Sequence, residues 1–480
     1  MNEKRNTLSK VLGRIDIIAI GFGTMVGWSW IMMVASWINE AGLLGAVVAF
    51  AAGGMIILAV GMTYGELTAA MPLAGGEFVF VYRALGSNVA WMVGWIMSLA
   101  YIGVAAWEGI ALATAIDYIL PLPDIFPLWE IAGYQVYLSW TVIGMAGAFA
   151  ITVINFFGIR FAVLFQVVAT AALMTLVLFI FFGGIAFGSS DNIGELFVSI
   201  DGFSYVLLMV PAMLIGFDVI PQSAEEMNIG PRNIGKMVLV CIIVSLVWYL
   251  ILIIGVSMAA PMEIRDSGII PMADIAAYLF NGRIFSAVVI VGGIFGILTS
   301  WNGFFIGATR LIFAMGRAGV IPGVFGKVNK KYKSPWAATL LVGGICVFSP
   351  MLGMNALVWF VDTSSLCALF SYVFVVISFI VLRKKEPDLV RPLHVRGGIK
   401  SGVFILSVIV IYFVIYLQSN ISISPLSPEY IITVLWLIAG VIMAASAKIR
   451  YRNISGEERE LLVFGQRFAR KGGKDEKKNG

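Results

Sequence analysis

Twelve apolar runs, each long enough to cross a bilayer, occupy nearly the whole chain. A spanning helix needs about 20 mostly apolar residues. Such runs stand at 15–38, 43–71, 88–119, 137–157, 160–188, 203–224, 236–258, 284–316, 336–353, 356–382, 402–419 and 428–448. Backbone groups left unpaired in hydrocarbon are costly, so each run is expected to be a helix. The short alternating segments of a barrel are absent. Composition agrees: 60% of the 480 residues are hydrophobic and 12% are charged, about half the usual share for a soluble domain. No hydrophilic linker precedes the last run. The sequence therefore predicts one all-α polytopic membrane domain over 15–448, with a cytoplasmic segment 1–14 before it and a basic tail 449–480 after it. The first run is too long for a signal peptide's apolar core and has no small-residue cleavage site, so it is expected to stay as a helix.

Charge sets the direction. Lys4, Arg5, Lys10 and Arg14 precede the first run, which places the N-terminus inside, and twelve crossings return the C-terminus to the same side. Of 32 Lys and Arg, only Arg265 and Arg283 then fall outside, leaving 30 on the cytoplasmic side. The outer loops are acidic instead, with Asp117, Asp124 and Glu130 in one and Asp191, Glu195 and Asp201 in the next. This is the positive-inside pattern, and an odd number of crossings would scramble it. A net charge of +5 spread in this way is an orientation signal and does not point to nucleic acid; the lipid bilayer is the partner it implies. Cys241, Cys346 and Cys367 lie in apolar stretches without metal spacing, and the single histidine, His394, lies in a basic loop, so neither a metal site nor a disulfide framework is expected. The sequons at Asn420 and Asn453 read as chance matches.

Two connecting segments carry further signals. The outer segment 259–283 holds a short amphipathic stretch, Met272 to Phe280, placed to lie across an outer mouth. The tail opens on a capping box, Ser455-Gly-Glu-Glu458, in which serine and glutamate satisfy each other's backbone donors. It continues through Leu461, Leu462, Phe464 and Phe468, interleaved with Arg459, Arg467, Arg470 and Lys471. That pattern suits a helix on the inner membrane surface. From Gly472 the chain is charged and expected to be disordered.

The first run contains Gly21, Gly23, Gly27 and the string GTMVGWS; the sixth contains Pro211, Gly216, Asp218 and Pro221. Glycine in a membrane helix often only permits close packing. Two interruptions five spans apart point instead to a pair of broken helices with a binding site between them. Unwinding frees backbone groups at mid-membrane depth. Half-helix N-termini favour anions and C-termini favour cations, so a zwitterion or an amine suits such a pair of ends.

At these residues the chain resembles the amino acid–polyamine–organocation superfamily of permeases. Tyr64 to Gly86 (YGELTAAMPLAGGEFVFVYRALG) is similar to its second-helix signature. Ile215 to Lys236 (IGFDVIPQSAEEMNIGPRNIGK) is similar to its sixth-helix motif. Ala308 to Pro322 and Leu382 to Pro392 match the ends of its eighth and tenth helices. The resemblance implies a five-plus-five inverted repeat, spans 1–5 (about 15–188) against spans 6–10 (about 203–382), with spans 11 and 12 (402–448) peripheral. It implies a secondary transporter of an amino acid, by symport or exchange, with substrate held at Gly23, Thr24, Val26, Gly27, Trp28 and Ser29 of the first break and Ala212, Ile215, Gly216, Phe217 and Asp218 of the sixth helix. Relatives often carry G-S-G-I-F where this chain has Gly27-Trp28-Ser29-Trp30-Ile31. Trp28 therefore either points away or narrows the pocket, making up for the aromatic gate that Ala212 replaces. A carboxylate-free amine such as ethanolamine or a polyamine is the alternative substrate.

Charged groups at membrane depth are read as functional first. Glu108 in the third span is a partner for a substrate ammonium, a proton carrier, or an outer-end glutamate bonded to a neighbouring helix. Asp218 either fixes the broken helix or touches substrate. Glu66 reads as structural or as part of an inner gate, and Glu225 and Glu226 as a gate network with Arg232. Some proton-driven relatives carry a fifth-helix lysine where this chain has Leu173. Thr299 and Ser300 could offer oxygens to Na+, although such hydroxyls more often bond the preceding turn. Na+ or H+ is the coupling ion to consider; no other cofactor is expected, and the sequence sets no oligomeric state. No nucleophile elbow, phosphate loop or metal cluster supports an enzyme. A transporter-like sensor stays open as an alternative.

Overall fold

The computed structural model describes residues 7–131, 133–268, 270–420, 427–451 and 454–468. Lys4, Arg5, Asn453, Arg470, Lys471 and the chain from Gly472 on lie outside them. Seventeen α-helices, three short 3-10 helices and one hairpin stand in the described chain. The first half holds α1 (Arg14–Met25), α2 (Ser29–Ala70), α3 (Gly76–Leu85), α4 (Ser87–Ile119), α5 (Leu138–Phe156) and α6 (Ile159–Phe187). The second holds α7 (Ile200–Met213), α8 (Val219–Gln222), α9 (Pro231–Ala259), α10 (Met262–Arg265), α11 (Pro271–Leu279), α12 (Ile284–Arg317), α13 (Trp336–Phe348) and α14 (Ala356–Lys385). Then come α15 (Ile399–Asn420), α16 (Pro428–Arg450) and α17 (Gly456–Phe468).

Twelve crossings follow from these helices. At 42 residues, α2 is twice the length a bilayer needs. Gly42, at φ +75°, turns it back, so its first third completes the span that α1 begins and the remainder is the second span. A φ in that region is open to glycine at little cost. Likewise α7 and α8 together make the sixth span. Among the described residues nine helices are long and apolar enough to cross alone, with Ile200–Met213 and Trp336–Leu352 as shorter apolar segments. Spans 1 and 6 are both interrupted and run in opposite directions, the arrangement an inverted repeat requires.

The boundaries follow local chemistry. The seventh span starts at Pro231, several residues before its apolar run, because Gly230 caps it and proline suits the first helical turn. In the loop after α4, where only a connection was expected, Pro127–Ile131 (β1) pairs antiparallel with Tyr134–Tyr137 (β2). Trp129 donates its indole N–H to the Met351 carbonyl at 2.8 Å, pinning this hairpin over the turn after α13. The helix α11, where the sequence placed an amphipathic stretch, packs mainly on α12 and α2.

The loop-bearing face with Leu8–Leu12, α3 and α17 is rich in Lys and Arg and is called here the basic face. The tail helix on it has the anticipated cap: Ser455 N–H donates to Glu458 Oε2 and Glu458 N–H to Ser455 Oγ, both at 3.1 Å. Its apolar side is divided: Leu461 is exposed, whereas two others pack inward. Val463 and Phe464 are buried against the protein, with the Phe464 ring on Tyr82 and under the Arg83 guanidinium of α3.

Candidate functional site

Helix α1 stops at Met25 and α2 starts at Ser29. Helical bonding ends with Val26 N–H to Phe22 O at 3.0 Å and resumes with Ile31 N–H to Trp28 O at 3.1 Å. Among the described residues the amides of Gly27 and Trp28 have no hydrogen-bond partner. They sit at the N-terminus of α2, where orphan N–H groups and the helix dipole favour an anion. Tyr249 of α9 bridges the gap: its hydroxyl donates to the Met25 carbonyl at 3.3 Å and lies 3.1 Å from the Ser29 hydroxyl.

The second break spans 214–218. Gly216 holds φ +120°, and a Cβ there would lie 2.8–3.1 Å from Thr24 and the Met25 amide. The two breaks therefore touch, and only glycine lets them.

Glu108 is fully buried on α4. Neither of its carboxyl oxygens has a partner of good hydrogen-bond geometry among the described residues; the Ser300 hydroxyl of α12 stands beside it. Both side chains reach the first break: a Cβ on Gly27 would lie 3.0 Å from Ser300 Oγ and 3.5 Å from Glu108 Oε1. So three elements converge on Gly27: the first break itself, α4 through Glu108 and α12 through Ser300.

Other expected residues go elsewhere. Trp28 turns its ring onto Gly293 of α12, where a Cβ would meet it at 2.4 Å; it fills the seam between α2 and α12. Ala212 is half-buried on α7. Phe217 packs between Tyr64 and Tyr372. Asp218 accepts from the Tyr372 hydroxyl at 2.6 Å. Glu66 anchors α14 and the chain beyond it through Arg383, Arg391 and the Val395 amide.

The ion-pair network at Glu225 and Glu226 differs from the expected one. Glu226 takes a forked pair from Arg310 at 2.9 and 3.2 Å, and Glu225 pairs with Arg317 at 2.9 Å. Both arginines come from the end of α12, whereas Arg232 is exposed on the first turn of α9. Neighbours in sequence across the Gly230-Pro231 turn diverge in space, so the expected Arg232 pairing fails.

Three polar residues not anticipated from the sequence form a chain, Asn155 to Asn302 to Gln166, that ends on the Thr299 carbonyl. The Thr299 hydroxyl donates to Gly296 O at 3.0 Å, the bond to the preceding turn. Gln166 Nε2 of α6 donates to the Thr299 carbonyl at 3.0 Å and to the Ala19 carbonyl of α1 at 3.2 Å. Asn302 donates to Gln166 Oε1 at 2.8 Å and accepts from Asn155 at 2.9 Å. The signal was available: a glutamine and two asparagines interrupt otherwise apolar spans.

Glu77 was also missed. It lies in the first turn of α3, a helix that does not span, yet it is fully buried. Burial first, and then the like charge of Asp218, push its carboxyl well above the ordinary carboxylate range, against hydrogen bonds from its own backbone and from Tyr101.

A polytopic helical protein whose first and sixth spans break against each other, beside free amides and a lone buried carboxyl, has the build of a permease. The chain belongs to the amino acid permease family, whose model matches residues 12–444. It is similar to a branched-chain amino acid permease of Bacillus subtilis (strain 168), 24% identical with 91% of this chain and 92% of the relative covered. An aspartate-proton symporter of the same organism is 27% identical, covering 86% and 80%. A vacuolar cationic amino acid transporter 4 of Arabidopsis thaliana is 25% identical, covering 81% and 65%.

Proposed function

We propose that this permease carries an amino acid by alternating access around the two breaks, with the Gly27 and Trp28 amides receiving the carboxylate and Glu108 the ammonium group. The observation that carries the reading is the fully buried, uncompensated Glu108 carboxyl beside Gly27. A carboxylate held there needs a counter-charge, and a substrate ammonium supplies it. The relatives carry neutral, acidic and cationic amino acids by their names, so the family leaves the side chain open. The lone carboxyl favours an amino acid with a basic side chain, or an amine, over an acidic one.

Alternating access would work by α1 and α8 swinging away from the scaffold of α4, α6 and α12. By the positive-inside rule the basic face is the cytoplasmic one, and Glu226–Arg310 would close that side. Proton coupling fits better than Na+ coupling. The Thr299 and Ala19 carbonyls already accept from Gln166, and the Thr299 hydroxyl is bonded within its own helix. Three of the oxygens a sodium ion could take between α1 and α12 thus already carry a hydrogen bond.

The test is uptake into proteoliposomes of labelled leucine, aspartate, lysine, arginine, ethanolamine and putrescine, in sodium and in choline medium. Sodium-independent uptake of a basic amino acid is the expected result. Uptake of the amines alone would move the carboxylate role away from Gly27. Binding without uptake would make the protein a sensor and overturn the transport reading.

A further inference from the structure

Below the second break, toward the basic face, a second polar cluster is buried among α2, α3, α4, α8 and α14. Gly75 and Gly76, at φ +108° and +37°, swing α3 back beneath α8, close enough that a Cβ on Gly76 would lie 2.8 Å from Gln222 Nε2. This brings Glu77 to Gln222, whose amide donates to Glu77 Oε2. Tyr101 of α4 donates to Glu77 Oε1, and Gln222 Nε2 reaches the Tyr101 hydroxyl, each at 3.4 Å. Asp218, which precedes α8, is held through one oxygen by Tyr372 of α14.

Asp218 Oδ1 and Gln222 Oε1 have no hydrogen-bond partner among the described residues, although both are buried. The fully buried Tyr64 hydroxyl of α2 lies within electrostatic reach of Glu77, Asp218, Tyr101 and Tyr372, and it also lacks a partner of good geometry. Against two carboxyls stand three hydroxyls, one side-chain amide and the backbone N–H groups of Glu77, Gly216 and Asp218, none of them a cation. The guanidinium groups that α12 brings toward this face are engaged elsewhere, Arg310 with Glu226 and Arg317 with Glu225. Two carboxylates within reach of each other, buried and without a cation, cannot both stay ionised.

We propose that Glu77 and Asp218 form a second ligand site, one that binds a single proton shared between the two carboxyls and so holds α8 down on α3. Protonation converts one carboxylate to a carboxylic acid, which removes one of the two like charges and adds an O–H donor to a cluster where Asp218 Oδ1 and Gln222 Oε1 are unpaired. A metal cation fits less well, because Gln222 points its N–H groups between Glu77 and Tyr101. Loss of the proton to the aqueous basic side leaves two like charges in one buried cluster, bridged by Gln222 and Tyr101. The two charges push α8 off α3, and α8 is the half-helix next to the Glu226–Arg310 closure. This coupling rests on the transport reading above, whereas the proton site itself does not.

The experiment reads the site without transport. Infrared spectra of the purified protein in lipid vesicles at neutral pH should show a protonated-carboxyl C=O band. Glu77→Gln/Asp218→Asn should lose from it the intensity of a single carboxyl. A double variant with the wild-type band overturns the proposal. So does a wild-type band that disappears when sodium chloride replaces choline chloride, because the occupant would then be a metal cation. Should the double variant not fold, Tyr372→Phe keeps the test: removing the Asp218 donor should shift the band, and an unshifted band rejects the site. Failure of uptake with the band intact would count against the transport reading alone.

Discussion

At the residue scale, Glu108 and Gly216 separate chemistry from geometry. If Glu108 meets a substrate ammonium, Glu108→Gln removes a charge-assisted bond of about 1.5–3 kcal/mol. That corresponds to roughly 10- to 150-fold weaker binding of the transported amino acid. Equilibrium binding to the purified protein measures it, and unchanged affinity would make Glu108 a structural group. Gly216→Ala acts differently. The backbone holds φ +120°, and the added methyl meets Thr24 and Met25 below 3.2 Å. A strained position of this kind costs about 1–3 kcal/mol, so the melting temperature should fall and uptake should be lost with it. A full-strength melt would show that the breaks are not held against each other. The glycines and prolines of the breaks were legible because they contradict the helices around them. Glu77 was not legible: in a motif between two spans it reads as an ordinary loop acid, and only the left-handed turn at Gly75–Gly76 buries it. Gln166, Asn155 and Asn302 were visible as polar interruptions, but their common partner is set by how α5, α6 and α12 pack.

At the scale of elements, hydrophobic run length located nearly every span, because a bilayer leaves the chain few other options. The hairpin β1–β2 escaped it, being short and anchored by a tertiary bond from Trp129. The tail helix shows both sides. Its start was written in Ser455 and Glu458, whereas its docking depends on Tyr82 and Arg83, far away in sequence. Arg83 also pairs with Glu386 at 2.8 Å, so α3, α14 and α17 meet at one arginine. Phe464 is 2% exposed, and cutting a buried phenylalanine to alanine costs about 3–5 kcal/mol. That exceeds what one short surface helix can hold, so Phe464→Ala should release α17 while the spans stay folded. Limited proteolysis should then cut near Ile454, with the thermal melt unchanged. A tail as protected as in the wild type would show that membrane contact, not Phe464, holds it.

Across the whole molecule, charge asymmetry and the pairing of breaks gave the architecture, but the closure on the basic face needed three dimensions. Glu226 lies after α8 and its partner Arg310 near the end of α12, both side chains 1% exposed. The N-terminal segment seals the same place: the Val11 and Leu12 amides donate to the Glu226 carbonyl at 2.8 and 3.0 Å, and the Asn228 amide donates to the Leu12 carbonyl at 2.9 Å. Removing one member of a buried pair strands the other charge and costs about 3–5 kcal/mol, whereas replacing both with neutral groups is often nearly free. That asymmetry separates a gate from a mere staple. Arg310→Met alone should lower the melting temperature. Arg310→Met with Glu226→Gln should recover most of it. If the pair is a gate, the stable double variant should still sample the open state more often, because the attraction that closed it is gone. A cysteine at the buried Ala224, made in a background without Cys241, Cys346 and Cys367, should then react faster with a membrane-impermeant maleimide from the basic side. Equal labelling in a double variant of normal stability would assign the pair to folding alone, and the closing of this face to the N-terminal segment.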